Sequence, residues 1–496
     1  MDCEVVVVGG GVGGLTVAAL LAERGTDVCL LERESGVGGC AANFEKFGYT
    51  FEQGYGLFSG WEPEGIHQRV FSELPLEPPE VRRWETAYVV RLPDQTEVAL
   101  VADRAHFEDN LRRAFPECAE PAVAFYRKLE SVGEALRNAL RGTPELLSVS
   151  KSRRAFSLLS EGRIAAEILR SQQQSTLPQL EGVSPRFRSF VDVQLQTLAQ
   201  ATSADVPYLQ AALALTVARG GMFAIRGGAS ALANKLAESV KRSGGRIRLD
   251  TPVLRLSYDS TGTATGVDLL SGETVTASKA VVSNLTVWDT YGKLVGLNRT
   301  PSEVRKQLKG LRGRGAYLLY LGLDEAAEHS LPAEHILALT DWQGEGPFDP
   351  ESKQLMFAAV PSWDARAPAG KRAVTIHAFT DADDWFTFHN DETELDEKDQ
   401  QMLERCWQRL HSAMPELGSH IEVIDTATPR SFYDLTRRKL GMVGGIIPSG
   451  GTFWLESPSY LTALPNLFIV SDTTSVGGIE GLTRLAFVLA NKLAPQ

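Results

Sequence analysis

The sequence predicts an α/β fold in which a parallel sheet flanked by helices is interrupted by an inserted α+β portion, making a second domain. Three observations predict it. The chain opens as strand, glycine turn, helix and strand. It closes on a strand, a glycine turn and a helix. Between them, residues from about 105 to 215 read as mostly helical and do not continue a strand–helix alternation.

Each element has a local reason. Val5 to Val8 is a short β-branched run of the kind that fills a buried parallel strand. Gly9 to Gly14 is a turn, Leu15 to Glu23 is an Ala/Leu-rich helix, and Gly25 is placed to stop it. Asp27 to Leu31 is the second strand and ends at Glu32. Phe107 to Phe115 and Ala122 to Leu140 have helical amphipathic spacing, and Gly162 to Gln174 is expected as another helix. The α/β pattern returns with a helix over Ala229 to Lys241 and strands over Arg246 to Leu249, Val253 to Tyr258, Ala264 to Leu270 and Ala280 to Asn284. Mixed strands and a helix near Glu397 to His411 fill residues 300 to 435. Leu467 to Val470 is a strand, and a final helix runs from about Gly481 to Leu493.

A chain of 496 residues is too long for one core, so two domains are expected. The 43% hydrophobic and 23% charged content is that of an ordinary soluble globular protein. A net charge of −12 argues against a nucleic-acid partner, which needs a basic field. The five cysteines are widely spaced without a C-x-x-C pair, so neither a zinc site nor a disulfide framework is indicated and a reducing compartment fits. No cationic leader precedes Val5, and the best apolar stretch, Tyr208 to Ile225, is broken by Arg219, Gly220 and Gly221. A cytoplasmic protein is expected, with peripheral membrane contact left open and the oligomeric state unassigned.

The chemistry lies in the glycines. Gly9-Gly10-Gly11-Val12-Gly13-Gly14 fits G-x-G-x-x-G. Such a turn lets backbone approach a pyrophosphate, and the helix behind it turns free N–H groups and a positive dipole end toward the phosphates. The turn follows a strand, opens a helix, and is followed by Glu32 at the next strand end, placed to bond a ribose hydroxyl. That context makes the domain Rossmann-type. Gly38 and Gly39, just beyond Glu32, let the chain pass along a dinucleotide, as in flavoproteins with two dinucleotide-binding domains. Near the end, a strand leads to Asp472, then Gly477-Gly478-Ile479 opens a helix, a second helix N-terminus for the cofactor. Asp472 would bond a ribityl or pyrophosphate-side hydroxyl.

These motifs resemble the phytoene desaturase, carotenoid isomerase and retinol saturase family of FAD-dependent oxidoreductases over nearly the whole chain. The resemblance is carried by Gly9 to Gly14, Glu32, Gly38-Gly39, Tyr49 to Gly54, Gly220-Gly221 to Gly228, Gly244-Gly245, Thr251-Pro252-Val253, Val281 to Asn284, Asp364 to Lys371, Thr428-Pro429, the Gly441 to Gly445 cluster and the Asp472 segment. It implies a two-dinucleotide-binding-domain flavoprotein of the amine-oxidase-like superfamily. FAD would be held non-covalently by Gly9, Gly11, Val12, Gly13, Gly14, Glu32, Arg33, Gly38, Gly39, Cys40, Val253, Asp472, Gly478 and Ile479. Val253 would face the adenine side through its backbone, and Cys40 reads as a packing residue. The family often carries a basic residue where this chain has Cys40, and its tail usually has Gly-Asp or Gly-Ala where this chain has Ser471-Asp472.

The cofactor-binding segments are expected at 1–105, 216–295 and 436–496, and a substrate domain at 106–215 and 296–435. The expected function is redox or isomerisation chemistry on carbon–carbon bonds of a small lipophilic, isoprenoid or carotenoid substrate. Two rivals share the architecture: an amine or amino-acid oxidase releasing hydrogen peroxide, with Arg82, Arg83 or Arg226 as a charged clamp, and a prenyl-binding protein of the Rab GDP-dissociation inhibitor kind. No catalytic residue is assigned and no metal site is expected. His377, in an apolar strand, reads as a satisfied core histidine. His67, His106 and His389 are further pocket candidates, and Trp61, Trp342, Trp363 and Trp385 are candidates for lining an apolar cavity.

Overall fold

The computed structural model describes residues 2–148, 174–342, 349–387, 392–448 and 459–495, with Ile168 and Ser171. The helix expected over Gly162 to Gln174 lies almost wholly outside these residues.

Two seven-stranded sheets organise the chain. The first is built on β1 (Asp2–Val8), which pairs in parallel with β2 (Val28–Leu31) on one side and Thr274–Ser283 on the other. Arg246–Arg248 extends the sheet beyond β2, and Leu467–Ile469 pairs in parallel with Thr274–Ser283. An antiparallel meander, Val253–Tyr258 and Ala264–Leu269, completes it. Val5, Val6 and Val7 have no solvent exposure, as their β-branched run predicts for a strand covered on both faces. Three helices share one core with this sheet: α1 (Val12–Glu23), α2 (Gly228–Arg242) and α3 (Gly478–Leu493).

The second sheet runs in the order Ile421–Ala427, Gly315–Asp324, β4 (Lys371–Thr380), Gln354–Ala359, β3 (His335–Leu339), Thr86–Arg91 and Glu97–Val101. Alternation along its strands separates two faces. Leu319, Ile336, Phe357 and Ile376 pack with Met402, Cys406 and Leu410 of the helix Glu392–Ala413. On the other face, Leu337, Leu339 and Met356 join the core of the helical segment, which includes Ala119–Gly142 and Pro185–Ala199. Residues 86–101, expected with the cofactor-binding segments, hydrogen-bond into this second sheet instead: Val89, Val90 and Arg91 pair in parallel with Ile336, Leu337 and Ala338. Alternation identifies such a hairpin as strands but does not say which sheet edge it joins.

Among the described residues no helix is long and apolar enough to cross a membrane, and no group of His, Cys, Asp and Glu is placed to hold a metal.

Candidate cofactor and active site

The turn after β1 is glycine-rich because little else fits there. Gly9 sits at φ +100, in the left-handed region. A Cβ on Gly14 would lie 2.3 Å from the Gly9 carbonyl oxygen, and one on Gly13 would lie 2.7 Å from Leu482 Cδ1 on α3. A Cβ on Gly11 would lie 2.6 Å from Asn284 Oδ1. Asn284, at the end of Thr274–Ser283, donates through Nδ2 to the Val470 carbonyl at 2.6 Å and so ties the turn to the C-terminal strand. Gly11 caps α1 without any side-chain bond, and Val12 opens it, buried. The first N–H groups of α1 thus have no side-chain partner.

Glu32 organises the far side of the turn. Its Oε2 accepts from the Gly10 N–H at 2.6 Å and its Oε1 from the Glu34 N–H at 2.9 Å. A carboxylate keeps further lone pairs for a hydroxyl. Gly38, at φ +118, donates its N–H to the Gly10 carbonyl at 2.8 Å, and Gly39 follows at φ +56. The segment entering Val253 runs beside Glu32, since Thr251 N–H donates to the Glu32 carbonyl at 2.8 Å. Arg33 turns toward the C-terminal part, donating to the Leu435 carbonyl at 3.0 Å.

Asp472 stands just beyond Leu467–Ile469, and there the structure supplies a partner that sequence reasoning missed. Arg438 donates to Asp472 Oδ2 at 2.8 Å and to Oδ1 at 3.2 Å. Its remaining donors reach the Met442 carbonyl at 2.7 Å and the Gly444 carbonyl at 3.1 Å. Burial opposes the Arg438 charge, but the Asp472 carboxylate outweighs it and holds the guanidinium pKa above its ordinary value. The Cys40 thiol lies against the same guanidinium, and burial pushes its pKa up. Gly477 and Gly478, at φ +91 and +59, then open α3, again without a side-chain cap, and Ile479 follows half-buried.

The three helix N-termini differ in one respect. That of α2 is closed by the protein's own carboxylates: Gly227 N–H donates to Asp364 Oδ2 at 2.8 Å, and the Glu52 carboxylate packs so close that a Cβ on Gly228 would lie 2.5 Å from its Cδ. Arg366 bridges these carboxylates, 2.9 Å from each. Among the described residues no side chain caps α1 or α3, glycine lines both N-termini, and Glu480 in the first turn of α3 is paired with Arg484. A glycine cradle that any Cβ would fill, two open N-termini and a carboxylate at the ribose position fit a dinucleotide such as FAD.

Beside Glu52 lies a cleft lined by Gly54, Tyr55, Gly56, His335, Ala358, Arg366 and Thr375. His335 on β3 and His377 on β4 project from the same sheet face in neighbouring rows, since Ala358 pairs with both His335 and Thr375. They are 2% and 5% exposed, and among the described residues His335 Nδ1 and His377 Nε2 have no hydrogen-bond partner. His377 is therefore buried as expected but not satisfied. The Tyr55 ring meets His377 edge-on at 4.7 Å, and Trp84 meets His335 edge-on at 5.1 Å. Burial pushes both imidazoles down to about 3, so they are neutral at ordinary pH. Burial also raises the Glu52 pKa, against the pull of Arg366.

The other candidates lie elsewhere. His67 stacks on Trp61 at 4.5 Å, His106 is exposed, and His389 is outside the described residues. Trp385 is buried under the second sheet, and Trp342 packs against the helical core. Trp363 is stacked by Arg82 at 4.5 Å and Arg226 at 5.1 Å, and both arginines pair with Glu80. That surface cluster occupies two of the three arginines considered for a clamp. Trp84, which the sequence did not single out, is the tryptophan beside His335.

Comparison with known proteins agrees with this geometry. The pattern of the family described as flavin containing amine oxidoreductase matches residues 12–481. A chloroplastic prolycopene isomerase of Arabidopsis thaliana is 26% identical over 500 residues, covering 98% of this chain and 81% of that protein. An all-trans-retinol 13,14-reductase of Danio rerio is 24% identical, covering 97% of this chain and 84% of that one. A solved oxidoreductase from Methanosarcina mazei superposes with a TM-score of 0.65 at 18% identity, over 99% of both chains.

Proposed function

The chain belongs to the flavin containing amine oxidoreductase family and is a flavin-dependent oxidoreductase; from that premise we propose that it binds FAD non-covalently and acts on carbon–carbon bonds of a lipophilic, isoprenoid substrate, by desaturation, saturation or isomerisation. The observation that carries this reading is the nearly full-length match to a prolycopene isomerase and a retinol reductase, over 97–98% of the chain.

In this reading the open N-termini of α1 and α3 face the cofactor phosphates, Glu32 takes a ribose hydroxyl, and Asp472, oriented by Arg438, takes a second hydroxyl. The bound flavin supplies the acceptor or donor of the electrons. The residues position it and keep water out. Cys40 follows Gly39 directly, but its raised pKa keeps it a thiol, a poor nucleophile for attachment to the cofactor. At neutral pH His335 in the cleft and His377 in the neighbouring row carry no charge. We place the protein in the cytoplasm, with peripheral membrane contact as the route for a lipophilic substrate.

The test has two steps. Denaturing the purified protein should release intact FAD into solution. The holoprotein, mixed without oxygen with cis-polyenes and all-trans-polyenes, should change its flavin spectrum or the polyene's, with product identified by chromatography. Hydrogen peroxide released with amines, and no polyene turnover, would replace this reading by amine oxidation.

A further inference from the structure

The chain has a net charge of −12, yet its cations are not spread evenly. Residues 293–314 hold seven Lys and Arg against a single carboxylate, Glu303. The fold turns this stretch into a face. The helix Ser302–Gly310 sends its two apolar side chains, Val304 and Leu308, into the core that holds Leu294 and Val295. Arg305, Lys306 and Lys309 stay exposed, as does Arg312 just beyond the helix. Among the described residues none of these four pairs with a carboxylate, and the Arg312 guanidinium donates to the carbonyls of Lys309 and Leu311 at 2.9 and 3.3 Å. Lys293 and Arg299 are exposed too: Lys293 pairs with Asp289 at 2.8 Å, and Arg299 lies 4.3 Å from the centre of the Tyr258 ring. Arg314 turns inward, over the Phe379 ring at 5.6 Å.

Leucines stand exposed among these cations. Leu297, between Lys293 and Arg299, is 59% exposed. Leu435, two residues before Arg437, is 37% exposed, and Lys293 Nζ donates to the Arg437 carbonyl at 2.7 Å. Cations with leucines between them suit a bilayer with acidic headgroups, which attracts each Lys or Arg near it and takes apolar side chains into its acyl boundary. A polynucleotide or an acidic protein tail would meet the cations and leave Leu297 in water. The remainder of the chain is net negative and is repelled by the same headgroups, so this face alone is turned toward them.

The face is joined to the cofactor side of the molecule. Val443 N–H donates to the Arg314 carbonyl at 2.9 Å, and Ile447 N–H to the Arg312 carbonyl at 3.0 Å. Lys439 N–H donates to Asp289 Oδ2 at 3.2 Å. Residues 438–447 therefore link the basic face to the Arg438–Asp472 pair.

We propose that this face docks on a bilayer of anionic phospholipid, with Arg305, Lys306, Lys309 and Arg312 at the headgroups and Leu297 in the interface. This rests on the reading of the protein as one that takes a lipophilic substrate, and it names the surface and the lipid charge through which that substrate is reached.

The FAD-loaded protein should be sedimented with vesicles of phosphatidylcholine alone and of phosphatidylcholine mixed with phosphatidylglycerol. Binding to the acidic vesicles is expected to be at least about tenfold stronger, and to be lost at about 0.5 M salt. Arg305→Gln, Lys306→Gln, Lys309→Gln and Arg312→Gln together should bring it down to the neutral-vesicle level. The same charge removed from exposed cations elsewhere, by Lys241→Gln, Arg242→Gln, Lys279→Gln and Lys492→Gln, should leave it within about twofold. Leu297→Ser should lower it about threefold. Flavin content, and turnover of a polyene supplied in detergent micelles, should be unchanged in all three variants. The vesicle pair with the unaltered protein decides the matter even if a variant does not fold. Equal binding to both vesicles, or full binding by the variant of the basic face, with micelle turnover intact, would overturn the docking face and leave the flavoenzyme reading standing. Preference for acidic vesicles without turnover of any polyene would keep the docking face and overturn that reading. Polyglutamate or DNA held as tightly as the acidic vesicles would assign the face to a polyanion and overturn the proposal.

Discussion

Replacing Arg438 with methionine keeps most of the side-chain volume and deletes the charge and every hydrogen bond it donates. Asp472 then loses both contacts, at 2.8 and 3.2 Å, and keeps only the Ser471 hydroxyl at 3.1 Å. The carbonyls of Met442 and Gly444 lose their donor as well. Breaking a buried pair by removing one partner costs about 3–5 kcal/mol, chiefly from the charge left behind. The side chains here are 14% and 26% exposed, so the lower end, about 3 kcal/mol, is the better expectation. Methionine with Asp472→Asn leaves no stranded charge and should recover at least 1 kcal/mol, a coupling that a double-mutant cycle resolves. Urea denaturation of the FAD-loaded and FAD-free proteins gives the stabilities, and the loss should be larger in the loaded form because Asp472 would then no longer be held toward the cofactor. A single-variant cost below about 1 kcal/mol, or a double variant costing the sum of the singles, would refute the argument that Arg438 orients this carboxylate.

Three further outcomes are expected. Gly14→Ala drives a Cβ to 2.3 Å from the Gly9 carbonyl and should weaken FAD binding at least about tenfold, read by flavin fluorescence, with about 1–3 kcal/mol lost in stability. Glu32→Gln keeps one acceptor for Gly10 or Glu34 but loses the charge that strengthens it, so FAD affinity should drop about tenfold while the fold survives. The pH dependence follows from the imidazoles: His335 and His377 titrate near 3 when folded and near 6.5 when unfolded. The unfolded chain therefore binds more protons between those values, so the stability they contribute is complete above about pH 6.5 and is lost as pH falls toward 3, at a slope of about 1.4 kcal/mol per pH unit for each ring. Denaturation midpoints should change little between pH 7.5 and 6.5 and follow this slope between pH 5.5 and 4.5, and His335→Gln with His377→Gln should flatten it.

The parts of the site that could be read from sequence are local. Gly9 to Gly14, Glu32 and Gly38-Gly39 belong to one strand–turn–helix–strand unit, where spacing alone carries the geometry. The Asp472 to Ile479 segment repeats the logic within a dozen residues. What escaped depends on pairing across long separations. Arg438 adjoins Arg437, and nothing in the run Thr436-Arg437-Arg438-Lys439 says which guanidinium turns inward; the structure sends Arg437 to Asp434 and Arg438 to Asp472. Glu52 and Arg366 meet across 314 residues. His335 and His377 look like ordinary strand residues until the register of the second sheet sets them on one face, beside a Trp84 that no local pattern marks. The hairpin at 86–101 was expected among the cofactor-binding segments, because its partner in the second sheet lies far along the chain at residues 336–338.

The contact of Gly13 with Leu482, and of Asn284 with the Val470 carbonyl, sets an order of events during synthesis. The face of α1 that α3 covers is made more than 450 residues before its cover. At about 5–20 residues per second, the glycine turn waits roughly 25–100 s before Leu482 emerges. Through that interval a nascent chain carries β1, β2 and α1 with an uncovered apolar flank, and the cradle lacks the second open helix end. Loading of the cofactor thus waits for α3 and fastens it to a strand–turn–helix unit made hundreds of residues earlier, and nicking between residues 445 and 467 in the cofactor-free protein should loosen that fastening.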